Sequence, residues 1–199
     1  MLKLKKLYKS SSAVELISEA ILSGEISGEI SQNEFANSLG ISRIPVREAL
    51  IALEYQGLVE RLKNQHVKII TLDYEAIKNL FIDMSLLEIE IIKNLQNKPE
   101  ILEELATSEN QIIFHRNLYK NIKSPLRKNI LKIIIETYLI FLLKRCNNTN
   151  SNSLFECLRH ALTNINKLTE IYRIYSEILT SDFVTLREKI NKHAQLETN

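Results

Sequence analysis

The stretch Ile41–Arg61, ISRIPVREALIALEYQGLVER, sets Arg43 and Arg47 four residues apart around Pro45, at the start of an amphipathic repeat. At about 100° per residue, Val46, Ala49, Leu50 and Leu53 share one helix face, while Ile44, Arg47, Glu48 and Ile51 point away and Arg43 lies at the border. Ser42 is a good N-cap, and Pro45 falls in the first turn, where a missing N–H costs little. Gly57 stops the helix after Gln56.

Working outward, Ser31-Gln32-Asn33-Glu34 has the spacing of a capping box and predicts a helix from Gln32 to Leu39. Gly40-Ile41 is then the tight turn between two helices. An earlier helix spans Ser11 to Ser23, with Val14, Ile17, Ile21 and Leu22 on one stripe and Gly24 as its stop. Downstream, the alternating LVERL and VKIIT segments flank Lys63-Asn64-Gln65-His66 and read as a β-hairpin. Three helices and a hairpin make a winged helix-turn-helix.

Such a fold places the first turns of its second helix-turn-helix helix against DNA base edges. Arginine donates two bonds to guanine, the Ser42 hydroxyl and the free N–H groups of the first turn suit a phosphate, and Ile44 suits a thymine methyl. The competing reading is that Arg43 and Arg47 close surface ion pairs with Glu48 or other neighbours.

The composition changes near residue 72: all four glycines precede it, and long Leu, Ile, Lys, Glu and Asn-rich helical stretches follow. The expected organisation is a basic arm over 1–10 carrying Lys3, Lys5, Lys6 and Lys9, a winged helix-turn-helix over 11–72, and an all-α antiparallel helical bundle over 73–199. The arm is either a solvated tail or a source of salt-dependent phosphate affinity. The fold class is mainly α.

With 45% hydrophobic residues the 199-residue chain can fill such a core, and a net charge of +2 neither demands nor excludes a nucleic-acid partner. Cys146 and Cys157 suit neither a disulfide framework nor zinc. The strongest apolar run, Ile133 to Leu143, is interrupted by Glu136, so no membrane span or signal segment is expected and the location is cytoplasmic. No nucleophile motif, carboxylate pair or Gly-rich phosphate loop points to an enzyme.

In the second half, Asp73 caps a helix from Tyr74 to Leu95 whose main face is Ile77, Leu80, Phe81, Met84, Leu87 and Ile91. A second stripe, Ile82, Leu86 and Ile89, needs its own partner, which is either the rest of the bundle or a second chain. Helices are also expected over Pro99 to Ile122, Pro125 to Arg145 and in segments between Asn152 and His193, with CNNTNSNS as a polar loop. Gln111 and His115 share a helix side with Leu118, and His193 continues the stripe of Leu186 and Ile190. These histidines are either pocket-lining or simply hydrogen-bonded interior residues.

The segment SQNEFANSLGISRIPVREALIALEYQGLVER resembles the DNA-binding domain of the GntR family of bacterial transcription regulators, and its Ser-Arg-x-Pro-Val-Arg-Glu-Ala-Leu core is specific. The resemblance, good over residues 11 to 70, implies operator contacts by Asn33, Ser42, Arg43, Ile44 and Arg47. It adds the wing tip Lys63, Asn64, Gln65 and His66. Family wings often read Asn-Arg-Gly where this chain has Asn64-Gln65-His66, and Thr is common at the position of Ile44.

The second half resembles the FadR-like subgroup, whose helical domain binds a small effector, often a carboxylic acid, and frequently a metal. IIFHRNLYKNIKSPL resembles its Phe-His motif. The subgroup's metal ligands match Gln111, His115, Ile171 and His193, of which only the two histidines keep their chemistry, so a divalent metal is not expected. The family arginine in the first bundle helix appears as Met84, and the helix normally preceding the Phe-His helix is lost or merged. With Gln111, His115 and His193, Tyr172 and Tyr175 are candidates for a metal-free pocket taking an organic acid or a more apolar effector, with Phe183 nearby. The expected function is a homodimeric, sequence-specific repressor under effector control. The alternative is an effector-independent DNA-binding and dimerisation protein.

Overall fold

The computed structural model describes residues 13–64, 66–146 and 149–196; the side chains at 149, 150, 191 and 193–196 lie outside it. Residues 1–12, which hold the basic arm, also lie outside. Two compact units divide the described chain. One comprises the residues up to Leu72 together with those from Arg187 on, and the other is Asp73–Leu186.

In the first unit the helices are α1 (Ala13–Ser23), α2 (Gln32–Leu39) and α3 (Arg43–Tyr55). Ser31 Oγ accepts from Glu34 N–H and the Glu34 carboxylate accepts from Ser31 N–H, completing the capping box. Gly40 ends α2 at φ 66°, where a Cβ would be strained, and this turn sets the start of α3. Ile17, Ile21, Phe35, Val46, Leu50 and Leu53 are buried together with Leu58 and Val67 as the core.

The wing is larger than the hairpin that alternation predicts. Strand β1 (Glu29–Ser31) joins β2 (Val59–Arg61) and β3 (His66–Ile69) in an antiparallel sheet of order β1-β3-β2. Ile30 lies opposite Val67, and Val59 opposite Ile69, so the inward side chains of all three strands meet the helices. Arg61 binds the Glu54 carboxylate, tying the wing to the end of α3. Arg187, near the end of α10 (Ile165–Leu196), donates to the Leu72 carbonyl. The last turns of α10 therefore belong with this unit.

The second unit is all-helical. Helix α4 (Tyr74–Asn94) is capped by the Asp73 carboxylate accepting from Ala76 N–H. The single helix expected over Pro99 to Ile122 is two, α5 (Pro99–Ala106) and α6 (Gln111–Lys120). Thr107 and Ser108 turn back onto the preceding carbonyls, and Asn110 restarts the chain by accepting from Ile113 N–H. Helix α7 (Pro125–Ile133) runs through a π-helical stretch, Ile134–Leu139, into α8 (Ile140–Arg145).

Helix α9 (Thr149–His160) begins inside the CNNTNSNS segment, where a loop is expected; buried Phe155 and Leu158 anchor it. Its polar first turn gives no periodic signal of its own. No described helix is long and apolar enough to cross a membrane.

Glu136, the charge interrupting the apolar run, lies in the π-helical stretch. Arg116 binds both of its oxygens and Tyr119 donates to it at 2.9 Å. The Arg116 hydrogen bonds hold its carboxyl below the usual range, with partial burial opposing. Its folded value being depressed, the stabilisation is present at neutral pH and is lost as pH falls through that value. Because Arg116 is 43% exposed, Glu136→Ala is expected to cost only about 1 kcal/mol, and the difference from wild type in urea melts should shrink on acidification.

Candidate functional site

The helix-turn-helix offers one edge outward. Ser42, Arg43, Ile44 and Arg47 are all exposed on the first turns of α3, with Ile44 71% accessible, while Val46, Ala49 and Leu50 are buried behind them. Among the described residues no ion pair engages Arg43, Arg47 or Glu48, so the competing reading of these arginines finds no support. Ser42 is the N-cap by backbone conformation yet makes no side-chain cap bond, which leaves its hydroxyl available. Asn33 is exposed on α2.

At the wing, Lys63 and Asn64 are exposed, and Gln65 lies outside the described residues. His66 is the first residue of β3 rather than part of the tip. Its Nδ1 lies 2.8 Å from the Glu29 carboxylate of the neighbouring strand, and the side chain is half-buried. The third strand, unforeseen in the sequence, supplies that partner and diverts His66 from the tip.

In the second unit the sequence-selected Gln111, His115, Tyr172 and Tyr175 converge. The carboxylate between them, Glu88 of α4, is the residue that sequence reasoning misses. His115 Nδ1 is 2.7 Å from Glu88 Oε1, and Tyr172 donates to Glu88 Oε2 at 2.9 Å. Tyr175 donates to Gln111 Oε1 at 2.7 Å and lies 3.1 Å from His115 Nε2. Gln111 Nε2 donates to Asn152 Oδ1 at 2.6 Å.

Glu88, His115, Tyr172 and Tyr175 are fully buried. His115 Nδ1 and the Tyr172 hydroxyl thus take one Glu88 oxygen each. Burial, followed by the Glu88 carboxylate, pushes both phenols well above their ordinary range and keeps them protonated donors. The His193 side chain lies outside the described residues. Ile171, matched to a family metal ligand, is buried and apolar.

This donor set fits a divalent cation poorly. One carboxylate and one imidazole already bond each other, and the remaining groups are two protonated phenols and neutral amides. Among the described residues no three His, Cys, Asp or Glu side chains group as metal ligands.

On the second α4 stripe, Leu86 is 60% exposed, Ile82 half-buried and Ile89 buried in its own unit. Ile89 is therefore unavailable to a partner. Its neighbour Glu88, turned inward, carries that part of α4 into the core.

The three helices and the wing define a winged helix-turn-helix. Residues 9–69 match the model of the bacterial regulatory proteins of the gntR family. Those residues are a GntR-family helix-turn-helix domain, the DNA-binding module of bacterial regulatory proteins. The chain is similar in structure to Lar, which controls the expression of the Listeria monocytogenes agr system, with TM-score 0.57 and 17% identity over 90% of this chain and 99% of that one. It is also similar to a GntR transcriptional regulator from Rhodococcus sp. RHA1, with TM-score 0.52 and 18% identity over 86% and 95% of the two chains. At these identities the likeness is one of fold. No curated protein sequence matches the chain.

Proposed function

We propose that the protein is a homodimeric, sequence-specific repressor acting in the cytoplasm, with Arg43, Arg47, Ser42 and Ile44 on operator DNA, supported by Asn33, Lys63 and Asn64. The observation that carries this reading is the exposed edge of α3, where two arginines without acidic partners flank an exposed apolar side chain. A single such module reads only a short half-site, so two copies are required for a specific operator. Leu86 supplies an exposed apolar position on α4, and α7, tied to α4 by Arg127 and Glu90, adds exposed Leu126 and Ile130.

The helical unit is read as the effector domain, in which a small molecule controls operator binding. The alternative is an effector-independent protein, whose support is that Gln111 and His115, two of the positions where the resembling subgroup holds its metal, are taken up in hydrogen bonds with Tyr175 and Glu88.

Selection of duplexes from a randomised pool tests the reading. The expected product is two half-sites related by two-fold symmetry and centred about one helical turn apart, bound by a species of twice the chain mass. Enrichment of no sequence, or binding by a monomer to a single short site, sinks it.

A further inference from the structure

At its edge, away from the filled Glu88 and His115 centre, the helical unit has a cleft of about 520 Å³. That is room for a small organic molecule. Leu87, Ile91 and Leu95 of α4 and its C-terminal turn, with Ile122, give it an apolar wall. The rim is cationic: Lys98, Lys123 and Arg127 line the same cleft, against one carboxylate, Glu90.

Arg127 is held in place by Glu90, whose two oxygens take both guanidinium ends. Lys98 and Lys123 are exposed, and no carboxylate among the described residues pairs with either. Asn94, Asn121 and Ser124 add neutral hydrogen-bonding groups. An apolar wall rewards burial of a hydrocarbon portion, and two uncompensated ammonium groups beside it reward a negative head. A positively charged or purely polar ligand would satisfy only one of these surfaces.

We propose that this cleft is a binding site for a small amphipathic anion, a carboxylate with a short hydrocarbon portion, separate from the buried Glu88 and His115 network. It rests on the reading of the helical unit as an effector domain, and it gives that reading a site which needs no metal.

Calorimetric titration of the full chain with hexanoate, hexylammonium and inorganic phosphate tests it. Saturable uptake of hexanoate is expected, with no uptake of hexylammonium and weaker uptake of phosphate. Lys98→Glu and Lys123→Glu, both at exposed positions, should each weaken hexanoate by about tenfold or more without moving the thermal midpoint. Absence of hexanoate uptake by the wild type, equal uptake of hexylammonium or phosphate, or unchanged uptake in both variants overturns the proposal. So does loss of the double-mass species in the lysine variants without any hexanoate uptake, which assigns the cleft to a second copy of the chain. Operator binding by the same preparation is read separately: if it persists while hexanoate fails, the site is wrong and the DNA-binding reading stands.

Discussion

Glu88→Ala is expected to destabilise the helical unit by about 2–6 kcal/mol, at about 1–3 kcal/mol for each of the two buried polar groups it leaves without a partner. The substitution removes the partner of both His115 Nδ1 and the Tyr172 hydroxyl, and both groups are fully buried. Water cannot replace the lost bonds without opening the packing of α4, α6 and α10. Against a typical domain stability of about 5–15 kcal/mol, such a loss is large and easily read in a urea melt.

The cost belongs to the broken pair, not to polarity at this place. Removing the whole set together, as Glu88→Leu with His115→Leu and Tyr172→Phe, leaves no buried donor stranded and should recover much of the loss. A Glu88→Ala protein as stable as the wild type would contradict the geometry of the network. Equal destabilisation by the single and triple changes would show that the network's value lies in packing rather than in satisfied hydrogen bonds.

Arg47→Ala is the second large effect and acts on binding instead of stability. The side chain is exposed and makes no ion pair among the described residues, so its removal should leave the thermal midpoint unchanged. A bidentate contact to a base edge is worth about 1–3 kcal/mol of discrimination. The expected result is a loss of roughly five- to 150-fold in affinity for the selected operator, with much less change on unrelated duplex.

The helix-turn-helix was legible because its signals are local. Ser31 and Glu34, Gly40 and Gly57 mark the helix ends within a few residues, and the apolar spacing from Val46 to Leu53 gives the buried face directly. Strand β1 escaped because three residues carry no periodicity, and Glu29–Ser31 are extended only because β3 lies beside them. That pairing also takes His66 out of the wing tip.

The bundle was harder for the same physical reason. Glu88 falls on the inward stripe after Phe81 and Met84, so a lone carboxylate among apolar residues was a visible anomaly, but its partners lie 27 and 84 residues away. Tertiary packing alone brings them together. Gln111, His115, Tyr172 and Tyr175 could be selected as inward-facing groups, whereas their role as mutual hydrogen-bond partners required Glu88. Asn110, by contrast, was a local helix-start signal, and it divides the long helix expected from Pro99 onward.

Base sequence is proposed to be read by the exposed edge of α3. The most direct test of this reading is the affinity of wild type, Arg47→Ala and Lys63→Ala for the selected operator and for a scrambled duplex at several salt concentrations. Arg47→Ala is expected to collapse the ratio between the two duplexes, while Lys63→Ala weakens both alike and lowers the salt slope by about one. An Arg47→Ala protein that keeps the full ratio between operator and scrambled duplex would contradict it.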